Sequence, residues 1–185
     1  MKDKTDDQLV DLIKENNKEA FKELFSRYES ILLNYLSRFF YQSEIRDEIF
    51  QETILTMISK IHFYEARNDL QNSFKSWLFR IATNKAIDFK RKNKPKEIML
   101  TENFEISLEN QFINAEEIKL LREAISQLPK MQSIILTLRV IDNMSLKEIS
   151  VICSINVNAV KQALYKARKN LMLNFIDIGG EYGAS

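Results

Sequence analysis

Helix breakers are almost absent from most of this chain: all three glycines, Gly179, Gly180 and Gly183, fall in the last seven residues, and only Pro95 and Pro129 supply proline. Strand-rich folds need breakers at closely spaced turns, whereas long runs of Leu, Ile, Lys and Glu between rare breakers favour helices. The expectation is an all-α protein. At 185 residues, with 45% hydrophobic and 29% charged side chains, the chain has material for two small cores and is too apolar for wholesale disorder.

Apolar spacing places the helices. Thr5-Asp6-Asp7-Gln8 has the pattern of a capping box ahead of Leu9, Leu12 and Ile13. From about Lys18, Phe21, Leu24, Phe25, Tyr28, Ile31, Leu32, Tyr35 and Leu36 recur every three or four residues, as one side of a helix does. Residues 43–61 form a third helix, with Ile49, Phe50, Ile54, Met57 and Ile61 inward. Its outer ridge is Glu48, Gln51, Glu52 and Leu55, with Asp47 at the edge. Such a ridge is either a solvated acidic face or a docking surface for a basic partner.

Residues 74–92 divide most cleanly. At about 100° per residue, Leu78, Phe79, Ala82, Ala86 and Phe89 share one side, and Trp77, Arg80, Asn84, Asp88 and Arg91 the other. From Arg80 to Lys96 the local charge is +6 within a chain whose net charge is only +1, which points to a phosphate partner. Phe63, Tyr64, Phe74 and Trp77 bracket a turn-like segment, Asn68-Asp69-Leu70-Gln71-Asn72-Ser73, whose amides and hydroxyl suit base edges. Aromatics beside cations suit unpaired nucleic acid, each stacked base contributing roughly 1–3 kcal/mol.

Between Glu97 and Ile118 there are six acids and no base, and we read 93–113 as a flexible acidic linker between a domain at 1–92 and one at 114–175, with a tail at 176–185. The second domain shows helical spacing before Pro129 and again from Met131 to Ile141. A second capping box, Ser145-Leu146-Lys147-Glu148, follows, then the turn Ser154-Ile155-Asn156 and a helix from Val157 to Leu171. This is helix-turn-helix spacing, with Ser154 near the place of the usual turn glycine. The last helix turns Asn158, Gln162, Tyr165, Lys166 and Lys169 outward, flanked by Lys161 and Arg168. Such a helix can enter a major groove, with Arg168 and Lys169 suited to phosphates.

Several classes are disfavoured. A single cysteine, Cys153, excludes an internal disulfide and reads as a packed thiol of a reducing compartment. With one histidine, His62, read as structural, there is no zinc set, and neither metal nor cofactor is implied. The acids lack a second convergent carboxylate helix, so no enzyme is expected. The charged N-terminus and the absence of an apolar run of about 20 residues lead us to expect a soluble, cytoplasmic protein.

Three segments together resemble the extracytoplasmic-function (ECF) group of bacterial RNA polymerase sigma factors. DEIFQETILTMISKI is similar to the family's polymerase-docking helix, SFKSWLFRIATNKAIDFKRK to its promoter-melting helix, and LPKMQSIILTLRVIDNMSLKEISVICSINVNAVKQALYKARKNL to its promoter-reading domain. The resemblance spans about residues 5–173. It implies that Asp47, Glu48, Gln51 and Glu52 dock on core RNA polymerase. It implies that Asn68, Asp69, Leu70, Gln71, Asn72 and Ser73 capture a flipped base of the minus-ten element, and that Trp77, Arg80, Asn84 and Asp88 line the single-stranded path, with Arg91 on the same face. Lys161, Gln162, Tyr165 and Lys166 would read the minus-thirty-five duplex. The partners so implied are core polymerase, promoter DNA and an anti-sigma factor. Departures from the pattern are Ser154, Ala159 and Ala163, the last replacing a common arginine. The residues alone leave two other readings open: a free-standing helix-turn-helix regulator, or a helical protein scaffold.

Overall fold

The structure, a computed structural model, describes residues 1–37, 39, 40, 42–70, 72–92, 123–125 and 127–182. The expected linker at 93–113, residues 114–122 and Gln71 lie outside the described residues. The chain divides into two compact units, Met1–Ile98 and Met99–Ser185, and regular structure among the described residues is helical.

In the first unit, α1 (Asp6–Lys14) opens on the Thr5 capping box, in which Gln8 N–H donates to the Thr5 hydroxyl and Thr5 N–H to the Gln8 amide oxygen. It ends where Asn16 takes a left-handed φ of 65°, a conformation asparagine tolerates. Asn17 Oδ1 then accepts from Ala20 N at 3.0 Å and starts α2 (Lys18–Ser37). Next come α3 (Ser43–Lys60), a 3₁₀ turn (Ile61–Phe63) and α4 (Ser73–Lys92). α1 lies on α2, and α3 on both α2 and α4.

Leu24, Leu32, Leu36, Ile49, Leu78 and Phe79 form the centre of this core. Each such buried side chain contributes about 1.5–3 kcal/mol. Thr83 donates its hydroxyl proton to Phe79 O at 2.7 Å, so the 2.6 Å contact with Tyr35 is a bond donated by the phenol. Sequence periodicity had placed Ile31 inward; it lies on the outer side of α2, 43% exposed. Val10, Ala20 and Thr53 are buried instead. His62, read as structural, is exposed on the 3₁₀ turn.

In the second unit, α5 (Lys130–Val140) follows Pro129, α6 (Leu146–Cys153) opens on the Ser145 capping box, and α7 (Val157–Tyr182) packs against both. Glu148 is buried, and its Oε2 accepts from Ser145 N at 2.8 Å. Arg139 donates to Met144 O at 2.7 Å and secures the turn after α5. Asn170 donates to Gln132 Oε1 and Asn174 to Ala124 O, fastening α7 along its length. α7 runs on to Tyr182, so 176–182 are helical where the sequence had suggested a tail. Glycine weakens a helix by about 1 kcal/mol per residue without blocking it as proline does.

Candidate functional site

The first unit carries two candidate surfaces on adjacent helices. On α3, Asp47, Glu48, Gln51 and Glu52 are all exposed, while Ile49, Thr53 and Met57 turn into the core. Leu55 extends the ridge at 67% exposure, followed by Ile58. The ridge is therefore acidic at its start and apolar further on. Between α3 and α4 lies a cleft of about 430 Å³ lined by Glu48 and Glu52 on one side and Lys85, Asp88 and Lys92 on the other. Lys85 Nζ pairs across it with Glu52 Oε2 at 3.1 Å.

On α4 the outward positions are those the helical wheel gives. Arg80, Asn84, Asp88 and Arg91 are exposed and Trp77 is half-buried at the head of the strip. Arg91 pairs with Asp88 at 3.1 Å, leaving the rest of the guanidinium open to solvent.

The neighbouring aromatics sort differently from the sequence expectation. Tyr64 and Phe74, taken there as partners for bases, are 4% and 1% exposed and belong to the core. They support Trp77, whose ring centroid lies 5.2 Å from that of Tyr64 and 5.8 Å from that of Phe74. Phe63 is 83% exposed on the 3₁₀ turn. The Tyr64 hydroxyl donates to Asp7 at 2.6 Å, and Lys14 Nζ donates to the Tyr64 carbonyl at 2.8 Å. Burial, and then the bond to Asp7, push the Tyr64 phenol upward, so it stays protonated.

The loop before α4 is ordered by its own side chains. Arg67 forms a fork with Asp69, Nε to Oδ1 at 3.2 Å and a second nitrogen to Oδ2 at 3.1 Å. The Arg67 amide donates to Ser73 Oγ at 2.8 Å, and Leu70 is buried as the loop's anchor. Leu70 and Ser73, expected to face a base, thus turn inward and shape the loop. Asn68 and Asn72 are exposed beside them. Sequence reasoning passed over Arg67. Its signal was available as a cation two residues from Asp69, a spacing that closes a tight turn.

In the second unit, α7 displays Asn158, Lys161, Gln162, Tyr165, Lys166, Arg168 and Lys169, all exposed, while Val160, Leu164 and Ala167 are buried. Tyr165 is 72% exposed at the middle of this face. Asn156 Oδ1 accepts from Ala159 N at 2.8 Å and caps the helix, whose first turn holds no acid. A helix N-terminus with no acid in its first turn and cations along the same face suits an anionic duplex. Ser154 holds the preceding turn at φ 56° and ψ 39°, the left-handed region that glycine occupies without cost.

Among the described residues no group of three or more His, Cys, Asp and Glu side chains could hold a metal ion, and no helix is long and apolar enough to cross a membrane. Residues 24–96 match the Sigma-70 region 2 family model, and residues 118–171 match Sigma-70, region 4. The chain is 34% identical over 122 residues to RNA polymerase sigma factor SigV of Bacillus subtilis, covering 66% of this chain and 70% of that protein. It is 26% identical over 179 residues to the ECF RNA polymerase sigma-E factor of Haemophilus influenzae, covering 89% and 92%. The fold is similar to that of the sigma factor RpoE solved with the anti-sigma factor NepR from Bartonella quintana, with a TM-score of 0.61 at 17% identity over 83% of this chain and 95% of that one.

Proposed function

This chain belongs to the extracytoplasmic-function group of RNA polymerase sigma factors, and from that premise we propose how its residues divide the work of initiation. The acidic ridge Asp47, Glu48, Gln51 and Glu52 docks on a basic surface of core polymerase. Asn68, Asp69, Gln71 and Asn72 meet the minus-ten element on a loop shaped by Leu70 and Ser73. Trp77, Arg80, Asn84, Asp88 and Arg91 carry the unpaired strand away from it. Asn158, Lys161, Gln162, Tyr165, Lys166, Arg168 and Lys169 contact the upstream duplex. The observation that most supports this reading is the placement of Trp77, half-exposed on a buried aromatic base at the head of an exposed polar strip.

Melting then needs no hydrolytic step by this chain. A base that leaves the stack costs a few kcal/mol, which a pocket and one aromatic stacking contact offset. The protein acts by binding, as a cytoplasmic initiation factor rather than an enzyme. The complex of RpoE with an anti-sigma factor supports a regulatory partner of the same kind here. Gel filtration with purified core polymerase, with and without promoter DNA, tests the reading. Co-elution with core alone is expected; tight binding to a twofold-symmetric duplex without polymerase would instead mark a free-standing regulator.

A further inference from the structure

α1 lies outside every surface assigned above, yet it makes two polar contacts with the residue beneath Trp77. Tyr64 is buried between Phe74 and Trp77, with ring centroids 5.6 and 5.2 Å away. α1 holds it at both ends: Asp7 accepts the phenol proton at 2.6 Å and Lys14 donates to the main-chain carbonyl at 2.8 Å, while Ser73 also bonds the hydroxyl and the Tyr64 amide donates to Ile61 O at 3.1 Å. Lys14 Nζ also lies 6.0 Å from the Tyr64 ring centroid. α1 is itself held by a second set of bonds. Arg27 of α2 binds Asp6 at 3.0 Å, and the Tyr28 hydroxyl donates to the same carboxylate. The result is a chain of contacts from α2 through α1 and Tyr64 to the indole.

A stacking platform works only if its ring is held at the angle the base requires, because looseness of about 1 Å removes much of the benefit of a prearranged site. Trp77 is half-buried, and its packing against Tyr64 and Phe74 sets its attitude. We propose that Asp7 and Lys14 are positioning residues for promoter melting, fixing Tyr64 so that Trp77 is presented to the unpaired strand. This rests on the reading of Trp77 as a base-stacking residue. It adds α1 to the melting apparatus, although no DNA contact is assigned to α1.

Trp77 is the only tryptophan, so intrinsic fluorescence of the full-length protein reports on this ring alone. The test combines acrylamide quenching with open-complex formation by core polymerase on duplex and pre-melted promoters, for Asp7→Ala, Asp7→Asn, Lys14→Met, Tyr64→Phe, the double variant of Asp7→Ala with Tyr64→Phe, and Trp77→Ala as control. Asp7→Ala and Tyr64→Phe should each slow duplex opening about fivefold, the size of one lost hydrogen bond. Lys14→Met should do the same. The double variant should be no slower than the worse single, since the Asp7 bond is lost in both singles and can be lost only once. Asp7→Asn, which keeps an accepting oxygen, should recover the rate, and the pre-melted template should recover all variants. Quenching should rise in the variants while polymerase association holds. A normal rate for Asp7→Ala beside a defective Trp77→Ala would overturn the inference and leave the site reading standing. Equal losses on both templates would reduce the contact to a folding role and overturn it too. A normal Trp77→Ala would overturn both.

Discussion

Lys85 Nζ and Glu52 Oε2 stand 3.1 Å apart, joining the acidic ridge of α3 to the basic helix α4 by an ion pair. In the docking proposed for this ridge, Glu52 exchanges this partner for polymerase. Both side chains are partly exposed, at 34% and 48%, so the pair contributes only about 0.2–1 kcal/mol and is given up easily. Lys85→Ala should therefore change core affinity by less than about fivefold. Glu48→Lys with Glu52→Lys should weaken it by at least thirtyfold, about 2 kcal/mol or more, with unchanged helix content. Titration of labelled core polymerase with each variant measures both.

Ser154 adopts a left-handed backbone that costs a non-glycine residue about 1–2 kcal/mol. Ser154→Gly should raise the stability of the second unit by about 1 kcal/mol, and Ser154→Val should lower it. Thermal unfolding of the full chain, followed in the transition of that unit, decides the sign.

On α7 the exposed cations and amides should separate by role. Gln162→Ala and Lys166→Ala should each relax base preference at one upstream position by about 1–3 kcal/mol. Arg168→Ala and Lys169→Ala should weaken binding about equally on all sequences and lower the salt slope by roughly one unit each. A promoter library transcribed with each variant measures the preference, and binding across a salt series measures the slope.

Burial pushes the Cys153 thiol up to about 12. In the native protein at pH 8 it should react with iodoacetamide on the order of a thousandfold more slowly than after denaturation, since the thiolate is the nucleophile. A folded pKa raised above the unfolded one gives a stabilising contribution that is full below about pH 9 and is lost as pH climbs towards 12. Alkylation kinetics followed by mass spectrometry check the first point, and pH-dependent melting the second.

Local signals were legible in the sequence and long-range ones were not. The capping boxes at Thr5 and Ser145 depend on residues three apart, and both form. The two sides of α4 follow from helical geometry alone, and Arg80, Asn84, Asp88 and Arg91 emerge where the wheel puts them. Tyr64 and Phe74 were misjudged because a 3₁₀ turn and a loop carry no periodicity to say which way an aromatic faces. Asp6 and Asp7 read only as helix-opening acids, since their bonds to Tyr28 and Tyr64 join residues 22 and 57 positions apart. The passage of α7 through Gly179 and Gly180 was missed because glycine was taken as a stop.

Strand separation by the holoenzyme tests the central claim most directly. Permanganate reactivity of thymines should appear upstream of the start site on a duplex promoter when core polymerase and this protein are both present. It should be absent with either alone, and lost with Trp77→Ala, while transcription by that variant from a pre-melted bubble recovers. Thymine reactivity that is unchanged by Trp77→Ala, or a defect equal on duplex and bubble templates, would contradict it.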